Sequence, residues 1–312
     1  MNIGKVPGSV LKRSVVNLIG KGPRTGVDSA YMMHESGLIT LAATEVGLID
    51  SDIAPMLAVI KACNNIRASH GTVMGVQAAF VISDKTKERA LKNLTRQTMA
   101  ACRLCNTELT GGHTEVSDGV SRPISTVTAI GCANKKSPGV RDIRPGMGIV
   151  MTKWAGLEEA AIILSNENSL NVVKERFSPY YMSEFEQYTD WLSIEEEATL
   201  ALEFDDVIMH DNSDGGVFGS LWDMAEGAGL GFKVTLRDIP VRQEIIELGY
   251  LFNLNVYRMK SSGSLLLVCE NPKGLVEHLM DKGIPASHIG FFTDNNDKII
   301  LVEDEVRYLE RV

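Results

Sequence analysis

Two short stretches carry the residue types that chemistry needs. Glu108 to Val120 reads ELTGGHTEVSDGV. Its Gly111-Gly112 pair lets a backbone approach a neighbour closely. His113 and Glu115, with Thr114 between them, place an imidazole and a carboxylate two residues apart. That spacing suits a metal site, a phosphate cradle or a polar turn between core elements. The second stretch, DNSDGG, runs from Asp211 to Gly216 just before a helical pattern. A helix start offers free N–H groups and partial positive charge, and Gly215 and Gly216 permit close approach. Ser213 or Asp214 as an ordinary helix cap explains the stretch as well as the sharper reading does. In the sharper reading Asp211 holds a cation whose other ligands are phosphate oxygens, the arrangement magnesium prefers.

Acidic or polar residues also end the predicted elements of the first half. Asp28 lies in RTGVDSAYMM, Glu45 in AATEVGL, and Asn64-Asn65 in KACNNIRAS. Each alone reads as a surface residue, and only their joint placement favours a site. A transition-metal set of His70, His113 and Glu115 is conceivable, although a hydrogen-bonded turn histidine is commoner. Cys102 and Cys105 form a CxxC, but no second CxxC follows and the pair falls within a helical pattern. Buried helix cysteines are the better reading.

The elements that must position these residues read as two α/β halves, 1–147 and 148–312. In the first, PGSVLKRSVVNLIG predicts a helix and LITLAATEVGL a half-buried strand. A helix with Pro55 near its start follows, then the strand GTVMGVQAAFVIS, a helix over the Thr86–Leu104 region, and the strand RPISTVTAIGCA. The polar stretch KKSPGVRDIRPGMG marks the boundary. The second half restarts the pattern with the strand GIVMTKWAG and the helix LEEAAIILSNE. Ser193 with Glu196 three residues on is a capping-box signature. VFGSLWDMAEGAG predicts a helix, GFKVTL and SSGSLLLVCE strands, PKGLVEHLMDKG a helix, and HIGFFTDNNDKIILVED a terminal hairpin.

Bulk properties narrow the partners. In 312 residues, 31 Lys+Arg stand against 40 Asp+Glu, for a net charge of -9. With no basic patch, nucleic acid is not expected as a partner. No apolar run approaches the ~20 residues that span a bilayer. The first residues lack the charged-then-apolar order of a signal peptide, so a cytoplasmic protein is expected. Five scattered cysteines argue against a disulfide framework.

Taken in order, GVDSA, ATEVGL, ACNNIRASHG, LTGGHTEV, DNSDGGVFGSLWDMAEGAGLGFKV and SSGSLLLVCE resemble the aminoimidazole-ribonucleotide (AIR) synthetase superfamily, the PurM-like proteins. GKVPGSVLKRSVVNLIG and VMTKWAGLEEAAIIL are most similar to its HypE-like branch, whose members act in hydrogenase maturation. The resemblance implies a two-domain α/β (α+β) fold whose N-terminal domain builds a barrel in a homodimer. It also implies ATP and magnesium held between the domains, phosphoryl transfer to an acceptor, and a maturation partner protein.

By resemblance Asp211 matches the C-terminal domain's magnesium aspartate, and Asp28 the aspartate of a DDAA-type motif in which Val27 replaces the preceding acid. Glu45 stands where the family has the aspartate of TDS, Asn65 where it has the aspartate of ND, and His113 where GGD or GGE is usual. Asp214-Gly215 resembles the family's SDG, and Gly111 to Glu115 would border the nucleotide. A Gly-rich phosphate segment of HypE has no counterpart; GKGPRTG, with Lys21 and Arg24 as phosphate cations, is the candidate substitute. Each lost carboxylate weakens the hold on a hard cation. HypE modifies a cysteine in its own C-terminal tail. Here the sequence ends VRYLERV and its last cysteine is Cys269, so that self-modification is not expected. Two further expectations follow: a dimeric assembly factor that kept the fold without turnover, and a transition-metal protein using His113.

Overall fold

The computed structural model describes residues 6, 8–19, 28–48, 51, 53–134 and 137–310. Lys21 and Arg24 lie outside the described residues. Gly8–Leu11 (α1) and Asn17–Ile19 (α2) flank a π-helical turn at Lys12–Val16. Ala30–Met33 (β1), Ile39–Gly47 (β2), Thr72–Ile82 (β3), Leu109–Val116 (β4) and Ile124–Ala133 (β5) then build a sheet in the order β1-β2-β5-β3-β4. All pairings are antiparallel except β3–β4. Ala54–Ala68 (α3) and Glu88–Leu104 (α4) are its two long helices. Strand alternation decides what faces α3: Ile39, Leu41 and Ala43 of β2 are buried, with Val127 and Ala129 of β5 and Val76, Ala78 and Phe80 of β3.

The stretch around His113 is a strand and not a turn. β4 runs along the edge of the sheet, parallel to β3, with Ala79 opposite His113 and Val81 opposite Glu115. The close approach that the glycine pair permits is to this neighbouring strand. A Cβ on Gly112 would lie 1.8 Å from the Ala78 carbonyl oxygen, while one on Gly111 would meet nothing within 4 Å.

In the second half, Gly148–Thr152 (β6) leads into Leu157–Ser165 (α5), Glu167–Arg176 (α6), Pro179–Phe185 (α7) and Glu195–Ala201 (α8). Ile208–Asp211 (β7), Gly216–Ala228 (α9), Gly231–Thr235 (β8), Gln243–Phe252 (α10) and Leu265–Cys269 (β9) follow. Pro272–Asp281 (α11), Ala286–Thr293 (β10), Lys298–Val302 (β11) and Glu305–Tyr308 (β12) complete it. The seven strands align as β12-β11-β8-β10-β6-β9-β7. One apolar cluster packs α9 against this sheet and another packs α8 and α11.

Two local expectations fail for identifiable reasons. The residues around Asp294–Asp297 do not close a hairpin, because β8 lies between β10 and β11 and pairs with both, parallel to β11. Ser193 does not cap α8 through a capping box. Ile194 is the N-cap residue, and the Ser193 hydroxyl instead accepts from the Glu195 N–H at 3.3 Å. The buried reading of Cys102 and Cys105 holds, since both are free thiols in the core. No helix among the described residues is long and apolar enough to cross a membrane.

The halves share a core. Leu57, Ile60, Cys63 and Ile66 of α3 belong to one apolar cluster with Leu157, Ile245, Leu248 and Met259 of the second half. α3 lies between the two sheets, packed on β2 and β5 and also against β7 and α8. This is why Pro55 opens a helix buried along nearly its whole length. The two glycines of β4 make the fold testable at its edge. Gly112→Ala is expected to destabilise the protein by roughly 1–3 kcal/mol through overpacking against β3. Gly111→Ala should lie within about 0.5 kcal/mol of wild type; equilibrium denaturation of both variants measures the difference.

Candidate functional site

α3 is apolar except for Lys61, Asn64, Asn65 and Arg67. Lys61, Asn64 and Arg67 recur every three residues and share one side of the helix. All three are buried, and each reaches the second half. The Asn64 side chain donates to the Leu192 carbonyl at 2.9 Å and accepts from the Ile194 N–H at 3.2 Å. Arg67 pairs with Glu195 at 2.9 Å. Lys61 enters a cluster of acids: Nζ lies 3.4 Å from Asp214, 3.6 Å from Glu158 and 3.9 Å from Glu45.

Each acid is delivered by a different element. Glu45 sits on the face of β2 that turns toward α3, and the Asn65 amide donates to its Oε1 at 3.0 Å. Glu158 occupies the first turn of α5 and is fully buried. Asp214 lies in the turn from β7 to α9. That turn requires glycine: Gly215 and Gly216 both have left-handed φ, and a Cβ on Gly216 would lie 2.4 Å from the Met259 carbonyl oxygen. Lys260, just beyond that contact, reaches the other oxygen of Asp214 at 3.2 Å.

Asp211 closes β7 behind the cluster. Its Oδ2 accepts from the Ser262 hydroxyl at 3.2 Å, and its Oδ1 has no hydrogen-bond partner. Beside it His210 Nδ1 lies 2.8 Å from Asp28 Oδ1. Asn212, also buried, donates to Ser264. The cluster thus gathers Asp28, Glu45, Glu158, Asp211 and Asp214 from both halves, with Lys61 and Lys260 as its lysines.

Titration follows from this crowding. Burial pushes the Asp211 carboxyl up to about 8, with Asp28 and Glu158 adding to the effect. Burial raises Glu45 as well, against the pull of Lys61. For Asp214, burial is outweighed by Lys61 and Lys260, which hold the carboxyl below its usual range. Burial also works against the Lys61 charge, yet Glu158, Asp214, Glu45 and Asp211 together raise its affinity for the proton.

Of the residues expected from sequence, Glu45, Asn65, Asp211, Asp214, Gly215, Gly216 and Asp28 come together here. Gly111, Gly112, His113, Thr114 and Glu115 do not. They lie on edge strand β4, separated from β2 by β5 and β3, and His113 faces only Glu115 at 3.6 Å with both side chains exposed. Sequence reasoning missed Lys61 and Glu158. The signal for Lys61 was present as a lone lysine inside the otherwise apolar AVIKAC.

The resemblance implies magnesium; of the expected ligands Asp211 keeps one buried oxygen unpartnered and would be the one open to such an ion, while the others are engaged. Glu45 and Asp214 face Lys61, Asp28 faces His210, and Asn65 spends its amide on Glu45. No group of three or more His, Cys, Asp or Glu side chains among the described residues is arranged to hold a metal. This also removes the set of His70, His113 and Glu115.

Two openings adjoin the stripe on α3. A cavity of about 110 Å³ at the Lys61 end is lined by Glu45, Leu57, Lys61, Glu158, Asp214 and Lys260 among others. A cleft of about 780 Å³ at the Arg67 end is lined by Lys153, Trp154, Trp191, Glu195 and Glu196 among others. The first admits a group the size of an ion or phosphate; the second is in the range of small-molecule sites, about 300–1,000 Å³.

Comparison with known proteins agrees with this architecture. Residues 27–133 match the model of the AIR synthase related protein N-terminal domain, and residues 144–303 that of its C-terminal domain. The chain belongs to the AIR synthase related protein family. Among solved structures, a chain of the HypE–HypF complex superposes with a TM-score of 0.80 at 15% identity, covering 98% of this chain and 100% of that one. The hydrogenase maturation protein HypE in complex with ATP gives 0.74 at 18% identity, over 100% and 96%. AaThiL complexed with AMPPCP and TMP gives 0.73 at 15% identity, over 98% and 99%. At these identities the likeness is one of fold. No curated protein matches the chain by sequence.

Two outcomes are expected of the cluster. Asp211 binds its proton more tightly folded than unfolded, so its contribution to stability is greatest near pH 4. It falls as pH rises toward about 8. Denaturation across that range should show the decline, and Asp211→Asn should flatten it. Lys61→Met strands buried carboxylates and is expected to cost about 3–5 kcal/mol near neutral pH, read as a lower denaturation midpoint.

Proposed function

We propose that the protein binds ATP where its two halves meet, at the acid–lysine cluster, and uses it for phosphoryl transfer. The observation that carries this reading is the cluster itself. It joins β2 and α3 of the first half to α5 and the β7–α9 turn of the second, in a fold shared with HypE in complex with ATP and ThiL with AMPPCP.

Charge balance then selects the form of the nucleotide. Five carboxylates stand against two lysines, so a bare triphosphate meets net negative charge even with Asp211 protonated. A nucleotide that brings its own divalent cation is favoured, and Mg–ATP is the expected ligand. Phosphoryl transfer asks mainly for positioning and charge neutralisation, which such a cluster is suited to give. Titration calorimetry with ATP in the presence and absence of magnesium tests this. Saturable binding that requires magnesium and is lost in Asp211→Ala is expected, while heatless titrations of the wild-type chain would sink the proposal.

A second reading is favoured by Lys61 in particular. A fixed ammonium among the acids suits a binding protein that has given up turnover, such as an assembly factor in metalloenzyme maturation. The likeness to a chain of the HypE–HypF complex supports a protein partner in that case. Cys269, the last cysteine of the sequence, is buried in β9 and out of reach of a partner's active site. An ATPase assay decides between the readings: steady magnesium-dependent turnover favours the enzyme, and tight binding without hydrolysis favours the factor.

We further propose a homodimer through the face of the first sheet that turns away from α3. Ala42 and Val46 of β2, Thr128 and Ile130 of β5, and Ala79 and Val81 of β3 alternate onto that face, and Val46 is 49% exposed. Sedimentation of the wild-type chain should give a dimer, and Ile130→Asp a monomer.

A further inference from the structure

Three carboxylates from three separate elements converge on one point beside the small cavity. Glu45 comes from β2, Glu158 from the first turn of α5, and Asp214 from the turn before α9. Hard oxygen ligands gathered from distant parts of a chain make the usual setting for a divalent cation. Here the point is taken by Lys61 Nζ, at 3.4–3.9 Å from one oxygen of each acid. Asp214, at 3.4 Å, is within hydrogen-bond reach of Nζ, while Glu158 and Glu45 face the ammonium through charge alone and both Glu158 oxygens have no hydrogen-bond partner. The lysine side chain is only 9% exposed, and its stem rises from a helix buried on both sides. Asn65, one turn further along α3, holds Glu45 in place by donating to it. Lys260 takes up the remaining oxygen of Asp214.

We propose that Lys61 is a resident cation, fixed in the chain among Glu45, Glu158 and Asp214 in the place of a divalent metal ion. In the nucleotide-free protein the charge of these acids is then offset by Lys61 without any metal. Lys61 is a positioning residue for the three carboxylates, and its removal uncovers a metal site. The inference concerns the protein without nucleotide, so its outcome is separate from that of ATP binding.

Manganese is the probe, followed by calorimetry and electron paramagnetic resonance on nucleotide-free protein. Lys61→Ala is expected to bind one more Mn²⁺ per chain than wild type, and the triple variant Lys61→Ala/Glu45→Gln/Asp214→Asn to lose it again. Thermal melting gives an independent readout. Mn²⁺ at about 100 times its Kd should raise the Tm of Lys61→Ala by several degrees relative to wild type. Equal Mn²⁺ stoichiometry in wild type and folded Lys61→Ala overturns the proposal. A further arm leaves Lys61 in place and does not depend on the folding of its variant. Glu45→Gln in the otherwise wild-type chain should leave whatever Mn²⁺ binding exists within about twofold, and a loss of roughly tenfold or more shows that a metal, not Lys61, is the partner of Glu45.

Discussion

The polar stripe on α3 is the constraint from which the rest of the structure follows. A helix packed between two sheets has no solvent-facing side on which to place charge. Lys61, Asn64 and Arg67 are nonetheless there, and each takes partners from the second half, with Glu45 and the Cys105 carbonyl of the first half also facing Lys61 and Arg67. Unpaired, any of them would carry a heavy desolvation penalty. The stripe therefore fixes the rotation of α3 and the register of the two halves against each other. The apolar cluster around it supplies the burial, and the polar contacts supply the specificity.

The proposed nucleotide site lies at one end of this stripe, where two requirements coincide. Glu45, Glu158 and Asp214 need a cation for stability, and a phosphate-handling cleft needs acids and cations near one another. Asp211 marks the limit of that accommodation. It is buried among like charges, with one oxygen unpartnered, and it takes a proton where the others take Lys61. The cluster thus retains a deficit of positive charge.

Much of the fold was legible in the residues, and the reasons for the gaps are specific. Alternation exposed β2, β3 and β5, and the spacing of apolar residues exposed α4, α5, α9 and α11, because each of these has one buried side. β4 was misread because its glycines and exposed polar residues mimic a turn, whereas its edge position leaves most of it uncovered. β11 was misassigned for a topological reason: local sequence gives no sign that β8 intervenes between it and β10. In the site, Asp28, Glu45, Asn65, Asp211 and Asp214 were singled out through motif order. Lys61 and Glu158 were not, since a lysine within a helix and a glutamate in its first turn usually face water. What makes them part of the site is contact across the two halves, which no local pattern encodes.

The shared core also bears on how the chain is made. Leu57, Ile60, Cys63 and Ile66 of α3 pack with Leu157, Ile245, Leu248 and Met259, whose codons lie far downstream. During synthesis the first sheet and α3 leave the ribosome well before those partners exist. For that interval α3 presents an apolar flank and polar side chains that lack their second-half partners. The native core is therefore complete only once the second half is available to pack on α3.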